Sequence, residues 1–214
     1  GGVLSRETLE KLSQIAIKND LLVVADEIYS QLVYDDTKHV SIASLPGMKE
    51  RTITLGGFSK AYSMTGWRLG YMCAPRGIIA ACVRVHQYTI TCASSFVQEA
   101  AVNALRDCAD DVEAMRQEYQ RRKDYAVKAL NEIDGISCND PQGAFYIFVN
   151  VKSLGMASME VAEYFLEEAK VAMVPGSAFG SEGEGYLRLS YACSYEDLQE
   201  AIRRIKAAVE KLKK

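Results

Sequence analysis

The spacing of hydrophobic positions near the start of the chain predicts a helix followed by a strand. Ser5 is a candidate N-cap, and apolar residues recur three or four positions apart over residues 9–16. The Asn-Asp pair at 19–20 then ends that helix. The next residues, LLVVA at 21–25, form a continuous apolar run, which is typical of a parallel strand buried on both faces.

Two more strands and a helical region follow. The segments RTITLGG at 51–57 and RLGYMCA at 68–74 have the composition of strands. From Pro75 to about Leu105 the pattern is largely helical, and a long charged helix is predicted over residues 110–133. A helix of this kind is suited to connect two domains.

After residue 134 the pattern changes to short strands that alternate with helices. The predicted strands lie within 144–151, 171–175 and 186–192, and the predicted helices lie near 158–169 and 194–213. The sequence therefore predicts an α/β fold. Residues 1–110 would form part of a mostly parallel large-domain sheet with flanking helices, and residues 111–214 a smaller α/β C-terminal domain.

Composition and charge narrow the classes of function. Hydrophobic residues make up 49% of the chain, which supports a packed core, and a net charge of −3 gives no basic surface for nucleic acid. No apolar run approaches the ~20 residues that span a bilayer. The six cysteines are scattered without a C-x-x-C pair. We therefore expect reduced thiols in a cytoplasmic protein, with no metal site and no nucleic-acid or membrane partner.

The run GGFSKAYSMTGWRLG at 56–70 contains the strongest chemical signal. It sets Lys60 in a loop between two predicted strands, with Arg68 eight positions later. Burial and cationic neighbours lower the pKa of a lysine, which favours a reactive amine. The planar fork of an arginine matches phosphate oxygens. A lysine that can form a Schiff base beside a phosphate clamp is what pyridoxal phosphate chemistry requires.

This run resembles the lysine motif of the class I/II aminotransferases, fold-type I enzymes that use pyridoxal phosphate. Three other stretches resemble the same family in the same order: VVADEIYSQLVYD at 23–35, PQGAFYIFVNV at 141–151 and VPGSAFGSEGEGYLRLSYA at 174–192. In the family, a stretch similar to GGVLS at 1–5 lies in mid-protein. The chain therefore resembles the C-terminal part of such an enzyme, somewhat over half its length, and we expect it to be a fragment.

The resemblance implies a role for each matching cofactor residue. Lys60 would form the Schiff base and, once released, move a proton between the substrate Cα and the cofactor C4′. Asp26, at the end of a predicted buried strand where a carboxylate needs a cation, would pair with the protonated pyridine nitrogen. Tyr29 would hydrogen-bond the phenolic oxygen. Ser59 and Arg68 would bind the phosphate.

Two further positions complete the implied site. Many relatives have a second serine two positions before the one at Ser59, and this chain has Gly57 there, which removes one hydroxyl. Arg188 matches the arginine that receives the substrate α-carboxylate. Strand alternation places Arg188 on the same face as Tyr186 and Ser190.

The implied reaction is reversible transfer of an amino group from an amino acid to a 2-oxo acid, carried out by a homodimer. A pyridoxal phosphate lyase or synthase of the same fold, such as a β-C–S lyase or an aminocyclopropane carboxylate synthase, stays open. So does the effector domain of a pyridoxal phosphate-binding transcription regulator. The donor side chain is not fixed, and aspartate, aromatic amino acids and alanine are all compatible. We expect the fragment alone to be inactive and to hold the cofactor weakly or not at all.

Several residues outside the implied site have other interpretations. The glycines of GSAFGSEGEG at 176–185 are followed by a predicted strand rather than a helix, so we interpret them as a loop that lets the small domain close and not as a dinucleotide loop. His39 and His86 have no partner motif, and we expect surface or core positions for them. Three aromatic residues could line a substrate pocket or belong to the core: Tyr34, Phe145 and Tyr146.

Overall fold

The described residues, 1–213 in this computed structural model, form two units that each contain a small sheet. The first unit is Val3–Arg116, and the second is Gly1–Gly2 together with the chain from Gln117 onward. The two units divide inside a long helix, a few residues beyond the boundary at 110 that the sequence suggested. The assignment of cofactor and carboxylate binding to separate domains stays a prediction.

The first unit carries a three-stranded sheet and most of the early helices. Its elements are α1 (Arg6–Lys18), β1 (Val23–Asp26), β2 (Thr52–Gly57), β3 (Gly70–Cys73), α2 (Arg76–Thr89) and α3 (Ser95–Asp107). The strand order is β1-β2-β3, with β1 parallel to β2 and β3 antiparallel to β2. The sheet of the described residues thus has one parallel and one antiparallel pairing, and a mostly parallel sheet is not confirmed.

Helix α1 begins and ends where the sequence predicted. The side chain of Ser5 accepts a hydrogen bond from the Thr8 amide at 3.2 Å, and Asn19 is the C-cap. Leu9 and Ala16 are buried in a cluster that also contains residues of the segment 42–48. The other predicted apolar positions, Leu12 and Ile15, are 41% and 53% exposed, so only one narrow stripe of the helix is covered.

Strand β1 is covered on one face only. Val23 and Ala25 pack against the α1 cluster, whereas Val24 is 64% exposed and Asp26 is also exposed. The prediction that this strand is buried on both faces is therefore wrong for the described residues. Alternating burial follows from the two-residue period of a strand, because only one face meets the cluster.

The second unit contains a four-stranded antiparallel sheet. Its elements are β4 (Ser137–Cys138), β5 (Tyr146–Asn150), α5 (Ser158–Tyr164), β6 (Val174–Pro175), β7 (Tyr186–Ser190) and α6 (Tyr195–Leu212). The strand order is β4-β5-β7-β6. Buried residues recur at helical spacing in α6, and the strands alternate buried and more exposed positions. The predicted strands and helices of this region are confirmed, while the two-residue strand β4 was not predicted.

The predicted long charged helix is α4, Ala109–Asn131. Among its buried residues is Lys123, whose side chain is 1% exposed and whose Nζ lies 2.8 Å from Asp140 and 3.0 Å from Asp124. Acidic partners offset the cost of taking this ammonium group out of water. The sequence pattern gave no indication that Lys123 is buried, since a lysine in a charged helix normally faces solvent.

Three further observations concern the described residues. No helix among them is both long and apolar enough to cross a membrane. No group of three or more His, Cys, Asp or Glu residues within 1–213 could hold a metal ion. All six cysteines are free thiols.

Candidate functional site

Asp26 lies at the carboxyl end of β1, where the backbone fixes its position. The Glu27 amide donates to the Leu55 carbonyl at 2.8 Å, which extends the parallel pairing with β2 by one residue. The Asp26 carboxylate accepts a hydrogen bond from the Ile28 amide at 3.2 Å. Asp26 is exposed rather than buried, because it shares the uncovered face of β1 with Val24. The carboxylate is thus held at an accessible strand end.

Lys60 and Tyr29 are brought together by the parallel pairing of β1 and β2. The loop after β1 carries Tyr29, and the turn after β2 carries Lys60. The Lys60 Nζ lies over the Tyr29 ring, 5.9 Å from its centroid, and both residues are half-buried. A ring face attracts a cation at this distance. Two residues that are 31 positions apart in sequence therefore meet at the same end of the sheet.

Ser59 and Arg68 occupy the two arms of one turn between β2 and β3. The Phe58 amide donates to the Leu69 carbonyl at 3.4 Å, so the residues next to Ser59 and Arg68 are paired. Arg68 adopts the left-handed conformation with φ 55°, and its guanidinium donates to the Thr65 carbonyl at 2.7 Å. The side chain of Arg68 is exposed and Ser59 is half-buried. A hydroxyl and a guanidinium thus lie on the same turn as Lys60.

The glycine at position 57 has a local steric reason. Gly57 pairs with Gly70 across the antiparallel strands. A Cβ atom at Gly57 would lie 3.1 Å from Ile28 Cδ1 and 3.3 Å from Gly70 Cα. A serine there would require its neighbours to shift by a few tenths of an ångström, so the packing favours glycine at this position.

The neighbouring Gly56 is covered by an aromatic ring that the sequence analysis did not single out. A Cβ atom at Gly56 would lie 2.4 Å from the Tyr71 ring, so the absence of a side chain at Gly56 lets the ring lie in this position across the strand. Burial raises the pKa of Tyr71, and the nearby Cys73, Tyr62 and Glu27 groups raise it further. The signal that could have revealed the contact is an aromatic residue facing a glycine across a hairpin.

In the second unit, Arg188 lies at the centre of β7 between Phe148 of β5 and Val174 of β6. Its neighbours in sequence, Leu187 and Leu189, are 0% and 4% exposed, which confirms the predicted alternation. Arg188 is half-buried on the other face of the strand.

The guanidinium of Arg188 is surrounded by aromatic side chains. Its Cζ lies 4.4 Å from the centroid of the Tyr146 ring and 4.6 Å from that of the Phe179 ring. Among residues 1–213, no carboxylate forms an ion pair with Arg188. A half-buried cation without an internal anion is suited to bind an anion from outside.

The other candidates from the sequence fall in ordinary positions. Tyr34 and Phe145 are 0% and 8% exposed and belong to the core, whereas Tyr146 is half-buried beside Arg188. His39 is half-buried with its Nε2 3.1 Å from a Glu27 oxygen, and His86 is exposed. Phe179 was not identified individually, because nothing in the loop sequence shows where its ring lies.

A pocket of about 690 Å³ lies beside the turn that carries Lys60. It is formed by residues of the turn together with α3 and the start of α4, and Ser63 at its edge donates a hydrogen bond to the sulfur of Met115 at 3.0 Å. None of the six predicted site residues is among the described residues that line this pocket. We therefore do not assign the predicted chemistry to this pocket.

The α/β architecture agrees with a comparison against known families. The family model described as aminotransferase class I and II matches residues 1–205, and the chain belongs to this family. Members of the family generally depend on pyridoxal phosphate.

Individual relatives support the same assignment. The chain is 51% identical over 215 residues to an aspartate aminotransferase of Pyrococcus abyssi, covering 100% of this chain and 55% of that protein. It is 48% identical to aromatic-amino-acid aminotransferase 2 of Thermococcus litoralis, again covering 100% of this chain and 55% of the relative. The chain thus spans about half the length of these relatives.

Solved structures give the same result for the fold. The aromatic aminotransferase from Pyrococcus horikoshii OT3 superimposes with a TM-score of 0.97 at 48% identity, over 99% of this chain and 57% of that one. The aspartate aminotransferase from Rhizobium meliloti superimposes with a TM-score of 0.92 at 38% identity, over 97% of this chain and 54% of that one.

Proposed function

We propose that this chain is the C-terminal part of a pyridoxal phosphate-dependent aminotransferase that moves an amino group between an amino acid and a 2-oxo acid. The observation that carries the proposal is the convergence of Lys60 and Tyr29 at the carboxyl ends of β1 and β2. In open α/β sheets, ligands bind at this end of the strands. The proposal assigns cofactor binding to residues 1–110 and substrate-carboxylate binding to residues 111–214.

The residues of the first unit fit the cofactor by their chemistry. Asp26 supplies an accessible carboxylate for the protonated pyridine nitrogen, and Tyr29 a hydroxyl for the phenolic oxygen. Ser59 and Arg68 supply a hydroxyl and a guanidinium for the phosphate. The glycine at position 57 leaves its backbone N–H as the group available there. Pyridoxal phosphate would supply the electron sink that stabilises negative charge at the substrate Cα.

Lys60 is the acid–base group of this proposal. With pyridoxal phosphate bound, this amine would move a proton between the substrate Cα and C4′ of the cofactor. Arg188 binds the substrate α-carboxylate through its fork of N–H donors, and this contact orients the Cα–H bond for transfer. The Lys60 Nζ lies over the ring of Tyr29, 5.9 Å from its centroid, which places the amine beside the phenol of the proposed site.

The partners and location also belong to the proposal. The substrates are an α-amino acid and a 2-oxo acid, and the named relatives make aspartate and aromatic donors the first to test. We propose a cytoplasmic location, supported by the six free thiols. We also propose a homodimer, supported by helix α2, which has no buried residue among those that the structure describes. Lyase and regulator functions are not favoured, because the named relatives are aminotransferases.

A donor screen tests the proposal. The full-length protein that contains this chain, loaded with pyridoxal phosphate, is incubated with aspartate, phenylalanine, tyrosine or alanine and 2-oxoglutarate. We expect glutamate and the 2-oxo acid of one donor to form in equal amounts. Release of ammonia and pyruvate from amino acid alone, without glutamate, would instead indicate a lyase.

A further inference from the structure

Two arginines of the second unit make similar contacts with aromatic rings but differ in what else they contact. Arg121 has its Cζ 3.8 Å from the centroid of the Tyr195 ring, and it donates to both oxygens of Glu118 at 2.7 and 2.9 Å. Arg188 contacts two rings and forms no ion pair with any residue in 1–213. The first guanidinium is neutralised within the protein, and the second is held without being neutralised.

This difference matters because a ring face and a carboxylate contact different parts of a guanidinium. A ring attracts the cation through its π-face and accepts no conventional hydrogen bond from the N–H groups. A carboxylate binds the N–H edge in the plane of the fork. Aromatic contacts therefore restrict the long arginine side chain while its N–H donors stay available for a ligand.

The backbone of the loop that carries Phe179 is constrained at its base and directly after the ring. Gly176 and Gly183 meet backbone to backbone, since a Cβ on either would lie 2.0 Å from the carbonyl oxygen of the other. Gly180, next to Phe179, has φ 120° and ψ 170°, a conformation that is essentially restricted to glycine. The loop is therefore closed at its base and bent directly after the ring.

A second aromatic contact supports the ring from the sheet. Phe148 meets Phe179 edge-on with centroids 6.2 Å apart, and it stacks on Tyr186 at 5.0 Å with an interplanar angle of 8°. The other ring that contacts Arg188, Tyr146, packs against the ring of Phe145 with centroids 4.9 Å apart. Both rings that contact Arg188 thus have partners of their own.

We propose that Tyr146 and Phe179, defined together as the ring pair, are positioning residues that hold Arg188 ready for a substrate carboxylate. This inference rests on the proposed function, because it deepens the role of Arg188. The ring pair reduces the number of arginine conformers before the substrate binds, so less freedom is lost on binding. The carboxylate then receives both hydrogen bonds from a guanidinium that already has the required orientation.

The test compares variants of the full-length holoenzyme. Phe179→Leu removes one ring, Phe179→Tyr keeps it, and Tyr195→Leu removes a ring from an arginine elsewhere in the unit as a matched control. For the best donor of the screen, we expect Phe179→Leu to raise KM by about 3- to 30-fold, with a smaller change in kcat. Phe179→Tyr and Tyr195→Leu should stay within about twofold of the parent, since neither removes the face of a ring from Arg188.

Binding measurements separate positioning from a general structural effect. Calorimetry gives the Kd for the donor analogue that lacks the amino group and for the corresponding alcohol, which lacks the carboxylate as well. Phe179→Leu should raise the Kd of the acid analogue by the same factor as it raises KM, and it should leave the Kd of the alcohol unchanged. Tyr146→Leu supplies an independent measurement on the other ring, and thermal unfolding verifies that each variant is folded.

The outcomes distinguish this inference from the function on which it rests. If Arg188→Lys weakens the acid analogue while Phe179→Leu and Tyr146→Leu bind it as tightly as the parent, the ring pair is overturned and the role of Arg188 stands. If Arg188→Lys leaves the Kd of the acid analogue unchanged, Arg188 does not bind the carboxylate, and the proposed role of the ring pair is overturned as well. Equal losses for acid and alcohol would also overturn the ring pair, because its action depends on the carboxylate.

Discussion

The Nζ of Lys60 lies over the ring of Tyr29, 5.9 Å from its centroid, at the end of two parallel strands. This relationship connects two motifs that are far apart in the sequence, and it places an amine, a phenol and the Asp26 carboxylate at one sheet edge.

Replacing Lys60 with alanine in the full-length protein should abolish nearly all transamination. Without the amine, no group of the site takes the Cα proton, and we expect kcat to fall by a factor of about 10² to 10⁴. Single-turnover kinetics measures the loss. Lys38→Ala, in the loop before β2, is the matched control and should keep parental activity. A Lys60→Ala enzyme with parental kcat and no added amine would remove Lys60 from the mechanism.

Replacing Arg188 with lysine should raise KM for every amino acid donor and every 2-oxo acid. Lysine keeps the positive charge but lacks the planar fork that binds both carboxylate oxygens. We expect an increase of about 10-fold or more, since hydrogen bonds to charged groups contribute roughly 1.5–3 kcal/mol. Arg121→Lys, at an arginine already paired with Glu118, provides the comparison. Unchanged KM values for several donors would contradict the assignment.

The sequence was informative about elements and motifs because both depend on local order. Ser5 was identified as a cap from its type and its position before a periodic run, and the structure confirms it. The alternation around Arg188 follows from the two-residue period of any strand. The meeting of Lys60 with Tyr29 could be expected once both motifs were placed at the ends of strands.

Other features depend on packing that local patterns do not encode. The apolar run at 21–25 gave no sign that Val24 would be 64% exposed, because burial of the second face depends on what covers it. The position of Phe179 depends on the approach of Gly176 to Gly183, which only the folded loop shows. The ion pair of the buried Lys123 likewise needs the loop that carries Asp140.

The backbone contact at the base of the Phe179 loop predicts a stability effect. Gly183→Ala would place a Cβ 2.0 Å from the Gly176 carbonyl oxygen, so the loop must open. We expect a decrease of about 1–3 kcal/mol in the free energy of unfolding, as for other overpacked sites. Gly77→Ala, in helix α2 with nothing within 4 Å of its Cβ, should be neutral or stabilising. Denaturant unfolding measures the free energy of unfolding of both variants. Equal values for the two variants would contradict the close contact between Gly176 and Gly183.

Thiol reactivity should follow burial. Burial raises the pKa of Cys138 to about 11, although the hydrogen bond with Asn131 acts in the opposite direction. Because the thiolate is the reactive form, this cysteine should react slowly at pH 8. Cys73 and Cys92 are exposed and should be alkylated first. Timed treatment with iodoacetamide followed by peptide mass spectrometry gives the order, and early modification of Cys138 would contradict the structure.

The 214-residue chain on its own should not catalyse transamination. It spans about half the length of the relatives, and the proposed cofactor residues Asp26 and Arg68 are exposed within it. We expect weak binding of pyridoxal phosphate, measured by absorbance titration, and no turnover with a mixture of donors. Stoichiometric tight binding with multiple turnovers would show that the chain contains a complete site.

Borohydride trapping of the cofactor on the full-length protein is the most direct test of the central claim, that Lys60 is the lysine that carries pyridoxal phosphate. Reduction fixes the cofactor on the lysine that holds it, and proteolysis with mass spectrometry then identifies the modified peptide. The account predicts a phosphopyridoxyl group on Lys60 within the sequence GGFSKAYSM. A cofactor fixed to another lysine, or no lysine labelled in an enzyme that is active and saturated with cofactor, would contradict it.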